Sequence, residues 1–104
     1  MTLALLDGRE VHVDTEGFLT EYDEWDEALG KALAANIGID MTDEHWDAIR
    51  FLRTDHAEQG TTPTLRRVTN VGGIPTKQLF TLFPGKPAKK MAYIAGLPKP
   101  VGCV

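Results

Sequence analysis

Glycine and proline divide residues 23–96 into five short segments, and each segment carries apolar side chains at helical spacing. The two longest cover residues 23–37 and 42–59, and both open with acidic side chains, which a helix dipole favours in the first turn. The shorter segments cover residues 63–68, about 75–83, and 87–95. Because a glycine or proline follows each segment closely, none can continue into the next. The pattern therefore predicts about five short helices.

The residues before these segments predict a β-hairpin. Asp7 and Gly8 form a turn signal, and residues 10–14 alternate between polar and apolar side chains. The predicted fold class is α+β and mostly α, with a small N-terminal β-hairpin packed on a helical bundle. A chain of 104 residues with a 42% hydrophobic fraction can build one modest core. We expect residues 1–96 to form a single domain.

The sequence favours the cytoplasm over a membrane or an oxidising compartment. No apolar run approaches the roughly 20 residues that span a bilayer. The first ten residues lack the basic start and long apolar core of a secretory signal. A single cysteine cannot form an internal disulfide. We therefore expect a cytoplasmic protein that does not engage a membrane.

The charges are distributed very unevenly. Residues 1–60 contain all 15 acidic side chains and have a net charge of −11, whereas residues 61–104 contain no acidic side chain and have a net charge of +7. One interpretation is that the two halves attract each other within the fold. The other is that the basic half faces an acidic protein, an RNA or an anionic sulfur species.

The stretch AGLPKPVGCV, residues 95–104, does not fit a helix or a strand. Its two prolines lack the N–H that either structure would use. We predict a flexible C-terminal arm over residues 97–104, which reaches about 25 Å when extended. Its candidate nucleophile is Cys103, because sulfur chemistry proceeds through a thiolate. The other arm residues singled out are Leu97, Pro98, Lys99, Pro100 and Gly102.

The remaining candidates have simpler explanations. His12, His45 and His56 lack the spacing of a zinc site, and the acidic clusters at residues 21–27 and 43–47 are typical of helix starts. Trp25 and Trp46 lie on apolar stripes and are expected in the core, and no phosphate-binding loop is recognisable. We expect no metal and no organic cofactor.

A nucleic-acid-binding regulator is the alternative from a different functional class. Two short helices around a turn, with Arg66, Arg67 and Lys77, have the outline of a helix-turn-helix. The acidic net charge of −4 and the missing RNA-recognition aromatics disfavour it.

The tail AGLPKPVGCV and the preceding LFPGKPAKKMAYI closely resemble the C-terminus of the DsrC/TusE family of sulfur-relay proteins. The resemblance implies a DsrC-like fold and a mobile arm whose penultimate cysteine, here Cys103, carries sulfur as a persulfide. DsrC proper has a second cysteine eleven residues earlier, where this chain has Ala92. A single-cysteine member resembles the TusE type.

For a TusE-type member, the resemblance implies a sulfurtransferase-type carrier in the 2-thiolation of the tRNA wobble uridine. Its donor would be a TusBCD-like complex and its acceptor an MnmA-like thiolase, so contact with tRNA would be indirect. The alternative within the family is a DsrC-like partner in sulfur oxidation or sulfite reduction. The basic side chains Lys86, Lys89 and Lys90, together with Lys99, are the predicted docking surface.

Overall fold

The computed structural model describes residues 2–6 and 8–99. Within these residues it contains two strands, β1 (Thr2–Leu6) and β2 (Arg9–Val13), and five α-helices. The helices are α1 (Glu27–Asn36), α2 (Asp43–Gln59), α3 (Leu65–Asn70), α4 (Thr76–Leu82) and α5 (Pro87–Ala95). Over the described residues, the predicted fold class of a small hairpin on a mostly helical body is confirmed.

The hairpin is antiparallel and packs one face on α1. The register pairs Leu3 with His12 and Leu5 with Glu10, so these four side chains share the outer face. On the inner face, Val11 and Val13 are buried and form a cluster with apolar side chains of α1. The period-two pattern therefore sets which face of the hairpin meets the helices.

The main core lies between α2 and α5, which make the most extensive contact between helices. Ile49 and Leu52 of α2 are fully buried against Met91 and Ile94 of α5. Leu79 of α4 is buried in the same cluster. The short helices α3 and α4 therefore cover one side of the α2–α5 pair.

Helix α2 begins after Thr42 and ends at Gly60, as predicted. The Thr42 N–H donates to His45 Nδ1 over 3.1 Å, and His45 Nε2 lies 2.9 Å from the Leu82 carbonyl oxygen. These partners fit a neutral ring with its proton on Nε2. His45 is thus a buried structural residue that links α2 to α4.

The predicted start of the first helix is wrong. Instead of a helix from residue 23, Tyr22–Glu24 forms one 3₁₀ turn, Trp25 is extended, and α1 begins at Glu27. The reason is local hydrogen bonding. Asp26 caps α1 by accepting the Leu29 N–H over 2.8 Å, and a residue at this position cannot itself be helical.

Glu24 explains why the chain bends before Asp26. Its carboxylate accepts the backbone N–H of His12 over 2.8 Å and contacts His12 Nδ1 over 2.8 Å. This hydrogen bond from the His12 backbone is the main reason that the pKa of Glu24 is lowered. The acidic cluster is therefore partly an anchor for β2 and not only a helix start.

The third helix is also displaced from its prediction of residues 63–68, since it covers Leu65–Asn70. Thr64 is its N-cap and accepts the Arg67 N–H over 3.2 Å. Helix α5, in contrast, has the predicted bounds. None of the described helices is long and apolar enough to cross a membrane.

An ion pair between a buried carboxylate and a partly exposed arginine joins α2 to α3. Asp55 is 5% exposed, and Arg67 donates to both of its carboxylate oxygens over 2.7 and 2.8 Å. The side-chain hydrogen bonds from Arg67 are the main reason that the pKa of Asp55 is lowered. This pair is one point at which the acidic and basic halves of the sequence attract each other within the fold.

We predict that Arg67→Ala lowers the Tm by several degrees at neutral pH, because the Asp55 carboxylate then stays buried without its partner. Arg66→Ala, which removes an exposed neighbour, should leave the Tm almost unchanged. The lowered pKa means that the pair stabilises the fold above the ordinary carboxyl value of 3.8 and that this contribution is lost as the pH falls through the lowered pKa. Thermal unfolding of the wild type and the two variants at several pH values should therefore show that the Tm difference between the wild type and Arg67→Ala becomes smaller in acid. A Tm difference that stays constant with pH would contradict this assignment.

Candidate functional site: the root of the C-terminal arm

The structure describes the first part of the predicted arm only. Pro100, Gly102 and Cys103 lie outside the described residues. Leu97 is fully buried, whereas Pro98 and Lys99 are exposed. Leu97 therefore belongs to the core and not to an exposed arm, and the arm that we propose starts at Pro98.

The end of α5 explains why Leu97 is buried. Gly96 has a φ of 69°, and its N–H donates to the Tyr93 carbonyl oxygen over 3.3 Å. The Leu97 N–H donates back to the Ala92 carbonyl oxygen over 3.0 Å. These two bonds form a Schellman motif, in which the residue after the glycine folds back onto an apolar surface. Gly96 was predicted as the helix stop, and the Schellman motif turns Leu97 into the core.

Two side chains from distant parts of the sequence satisfy the last carbonyl groups of α5. Trp25 Nε1 donates to the Ile94 oxygen over 2.7 Å, and an Arg53 guanidinium nitrogen donates to the Ala95 oxygen over 2.6 Å. A helix end leaves such carbonyl groups without partners inside the helix. The extended residue after the 3₁₀ turn, Trp25, and helix α2 therefore hold the point from which the tail departs.

The Arg53 guanidinium also lies against two aromatic rings. It is 4.0 Å from the ring centroid of Trp25 and 4.1 Å from that of Tyr22. Burial is the main reason that the pKa of Arg53 is lowered, and the aromatic faces partly replace its lost hydration. In the sequence, the signal for Arg53 is an arginine on the predicted buried side of α2, and its partners on α5 are not apparent from it.

Gly96 leaves just enough room for Trp25. A Cβ atom at Gly96 would lie 2.5 Å from Trp25 Cδ1, and one at Gly30 would lie 2.9 Å from Trp25 Cζ2. Both distances are far below van der Waals contact. The indole thus fills a slot between two glycines. The sequence predicts Trp25 in the core, and the side chain packs against the core but is only partly buried.

Beyond Leu97 the described tail makes two polar contacts. The Thr62 hydroxyl donates to the Pro98 carbonyl oxygen over 2.8 Å. Lys99 Nζ lies 3.1 Å from a Glu16 carboxylate oxygen, which also lies 3.9 Å from Lys89 Nζ. Glu16 therefore links the tail to α5 through two lysines.

Three of the four predicted docking lysines, Lys86, Lys89 and Lys90, line one pocket of about 510 Å³, whereas Lys99 does not. Lys86 is exposed at the start of α5, and Lys89 and Lys90 are half-buried on its first two turns. Phe18 and Tyr93 line the same pocket, with their rings edge-to-face at 5.7 Å. The structure thus brings the three lysines together beside apolar side chains.

The histidines do not form a metal site. His12 contacts Glu24, His45 bonds to Leu82, and His56 stacks on Tyr22 with the ring centroids 5.6 Å apart. Within residues 2–6 and 8–99, no three histidine, cysteine, aspartate or glutamate side chains are placed to share a metal ion.

Comparison with known proteins identifies the family. The family model described as "DsrC like protein" matches residues 5–104, which include the single cysteine. This chain belongs to the DsrC-like family. The prediction from the tail motif is confirmed.

Named relatives and solved structures of this family span the whole chain. Sulfurtransferase TusE of Salmonella typhimurium is 39% identical, over 98% of this chain and 100% of its own length. The NMR structure of Allochromatium vinosum DsrC has a TM-score of 0.82 and 37% identity, and covers 98% of this chain and 97% of its own. The oxidised γ-subunit of dissimilatory sulfite reductase (DsrC) from Archaeoglobus fulgidus has a TM-score of 0.79 and 36% identity, over 99% of this chain and 100% of its own.

Residue 92 bears on the comparison with the TusE and DsrC relatives. Ala92, where the resemblance to DsrC proper places a second cysteine, is fully buried in α5. Its carbonyl oxygen accepts the Leu97 N–H of the Schellman motif. This DsrC-like chain therefore has a small apolar side chain and no thiol at the foot of its tail.

We predict that Gly96→Ala destabilises the protein more than Gly60→Ala. Each glycine directly follows a helix and has a positive φ, 69° at Gly96 and 76° at Gly60. Each substitution therefore costs about 1 kcal/mol in backbone strain. Only Gly96 has Trp25 in the way, and a displaced indole adds about 1–3 kcal/mol by leaving the Ile94 carbonyl group unsatisfied. Urea unfolding of both variants measures the difference. Equal losses of stability would show that the tail root does not depend on the Trp25 slot.

Proposed function

We propose that this protein is a sulfur carrier that accepts sulfur on Cys103 and passes it to another protein. The observation that carries the proposal is the single cysteine of the chain, which lies in the tail motif inside the family match. Full-length relatives are named sulfurtransferases, which supports sulfur transfer as the general activity. The proposed chemistry needs no metal and no organic cofactor.

The proposed transfer is an exchange between a thiolate and a persulfide. The Cys103 thiolate attacks the outer sulfur of a donor persulfide, a new S–S bond forms on Cys103, and the donor's S–S bond breaks. The donor leaves as a thiolate, so the exchange needs no external oxidant or reductant. A thiolate of the acceptor then attacks the outer sulfur on Cys103 in the same way, which returns Cys103 to its starting state.

The tail root supports this role because it fixes one end of the carrier segment. Trp25 and Arg53 hold the end of α5, and Leu97 lies in the core. Five residues after Lys99 would span about 16 Å at roughly 3.1 Å per residue in a polyproline-like geometry. Such a segment is long enough to present Cys103 inside the cleft of a donor or an acceptor.

Ala92 supports transfer between proteins over chemistry within this chain. A chain without a second thiol cannot form an internal disulfide with Cys103. We propose that the pathway is the 2-thiolation of the tRNA wobble uridine, with a TusBCD-like donor and an MnmA-like acceptor, and that the protein works in the cytoplasm. The alternative is a partner of a sulfite reductase, the enzyme named in the description of the A. fulgidus relative. The missing second cysteine counts against it.

We predict that the protein gains the mass of one sulfur atom when it is incubated with a persulfide donor, as measured by intact mass spectrometry. Cys103→Ser should gain none, because the alcohol is not a nucleophile of comparable strength at neutral pH. Reduction with dithiothreitol should reverse the gain in the wild type. A Cys103→Ser protein that takes up as much sulfur as the wild type would rule out the carrier role.

The pathway requires a separate measurement. Deletion of the gene in its own organism should strongly reduce 2-thiouridine in hydrolysed tRNA, and the wild-type gene should restore it while Cys103→Ser should not. If the nucleoside level is unchanged although the protein accepts sulfur in vitro, the carrier serves a different acceptor.

A further inference from the structure

The pocket beside α5 combines a cationic rim with apolar walls. Its walls include Phe18 from the loop after β2, Ile37 from the end of α1, and Tyr93 from α5. Its rim includes Lys86, Lys89 and Lys90, and we call the whole the lysine pocket. A volume of about 510 Å³ exceeds what a single inorganic anion needs. A ligand that fills the pocket therefore has an apolar part as well as negative charge.

The lysines occupy an unfavourable place for positive charge. Lys86 is the N-cap of α5, and Lys89 lies in its first turn, where the helix dipole repels cations. Helices α1 and α2 instead carry acidic side chains in the corresponding turn. Within residues 2–6 and 8–99, Glu16 is the carboxylate that approaches this group, and it pairs with Lys89. The lysine pocket thus concentrates positive charge that one carboxylate compensates only in part, in a protein whose net charge is −4.

The lysine pocket is also close to the tail. The Glu16 carboxylate on its rim contacts both Lys89 and Lys99, which is the last described residue. Because five residues span at most about 18 Å when fully extended, a protein that holds Cys103 must lie beside this part of the surface. A segment of the protein that holds Cys103 would therefore be close enough to enter the lysine pocket.

We propose that the lysine pocket docks an acidic segment of a partner protein, whose apolar side chain enters between Phe18, Ile37 and Tyr93 while its carboxylates pair with the lysines. The proposal rests on the proposed carrier function, since it assigns the pocket to a donor or an acceptor of sulfur. Complementary charge at such a site sets the partner and the rate of encounter. The apolar walls favour a peptide with an apolar side chain over RNA, whose phosphates would gain nothing from the walls.

Glu16 acts as an internal competitor in this arrangement. Its loop is fixed because the Asp14 carboxylate accepts the N–H groups of Glu16 and Phe18 over 2.9 and 3.0 Å. The Glu16 carboxylate therefore occupies Lys89 and Lys99 until a partner carboxylate takes its place. Removal of the Glu16 charge should strengthen binding, whereas removal of a lysine should weaken it.

The test is an NMR titration of the full, ¹⁵N-labelled protein with a synthetic peptide that has one phenylalanine between pairs of glutamates. The expected result is saturable shifts of the Ile37, Lys89 and Tyr93 amide resonances. A peptide with glutamine in place of glutamate, and one with alanine in place of phenylalanine, should each bind about tenfold more weakly or worse. No persulfide is present, so the result does not depend on whether Cys103 carries sulfur.

Matched charge variants show where the acidic peptide binds and whether positive charge in the pocket strengthens its binding. Lys86→Glu should weaken the acidic peptide about tenfold or more, and Glu16→Gln should bind it more tightly. Lys86 is exposed, and a glutamate suits a helix start, so the fold is not at risk. Lys77→Glu changes an exposed lysine of α4 outside the pocket and should bind like the wild type.

Three outcomes would overturn the proposal. One is equal binding of the acidic and glutamine peptides, and another is an equal loss of affinity in Lys77→Glu and Lys86→Glu. The third is a tighter response of the same resonances to a single-stranded RNA oligonucleotide or to inorganic phosphate, which would assign the pocket to a nucleic acid or to a free anion.

Discussion

The carboxyl end of α5 is the point on which the rest of the structure depends. Ile94 and Ala95 are fully buried, and their carbonyl groups have no partner in the helix. Each would cost about 1–3 kcal/mol if it stayed unsatisfied. Trp25 and Arg53 supply the missing donors, and they come from segments about 70 and 40 residues earlier in the chain. The end of α5 is therefore fixed only when the N-terminal third and α2 are folded around it.

Local signals predicted the elements whose ends are set by their own residues. Thr42 and Gly60 bound α2, and Pro87 and Gly96 bound α5, because capping and positive φ act within one turn. The start of α1 could not be predicted in the same way. Four acidic residues within positions 23–27 offered several possible caps, and the choice depended on Glu24 bonding to His12 of the hairpin.

The residues of the candidate site also differ in whether local sequence signals predict them. The tail motif and the lysines near the start of α5 were readable from the sequence, because composition and a family resemblance mark them. Arg53 and Glu16 were not, since their roles come from partners 42 and 83 positions away. Leu97 shows the intermediate case: its neighbours in the sequence predict an exposed arm, but the Schellman bond to Ala92 turns it into the core. Gly96 alone predicts a helix stop and does not predict the direction of the chain after it.

The uneven charge of the sequence has two physical consequences rather than one. Inside the fold, the buried Asp55 carboxylate of the acidic half is paired with Arg67 of the basic half. Around the start of α5 the positive charge is only partly neutralised, since the single Glu16 carboxylate pairs with two lysines, Lys89 and Lys99. For the proposed carrier, the fixed root of the tail and the adjacent lysine pocket have complementary roles. The root limits where Cys103 can travel, and a partner held at the pocket lies within that limit, so a short tail suffices for transfer.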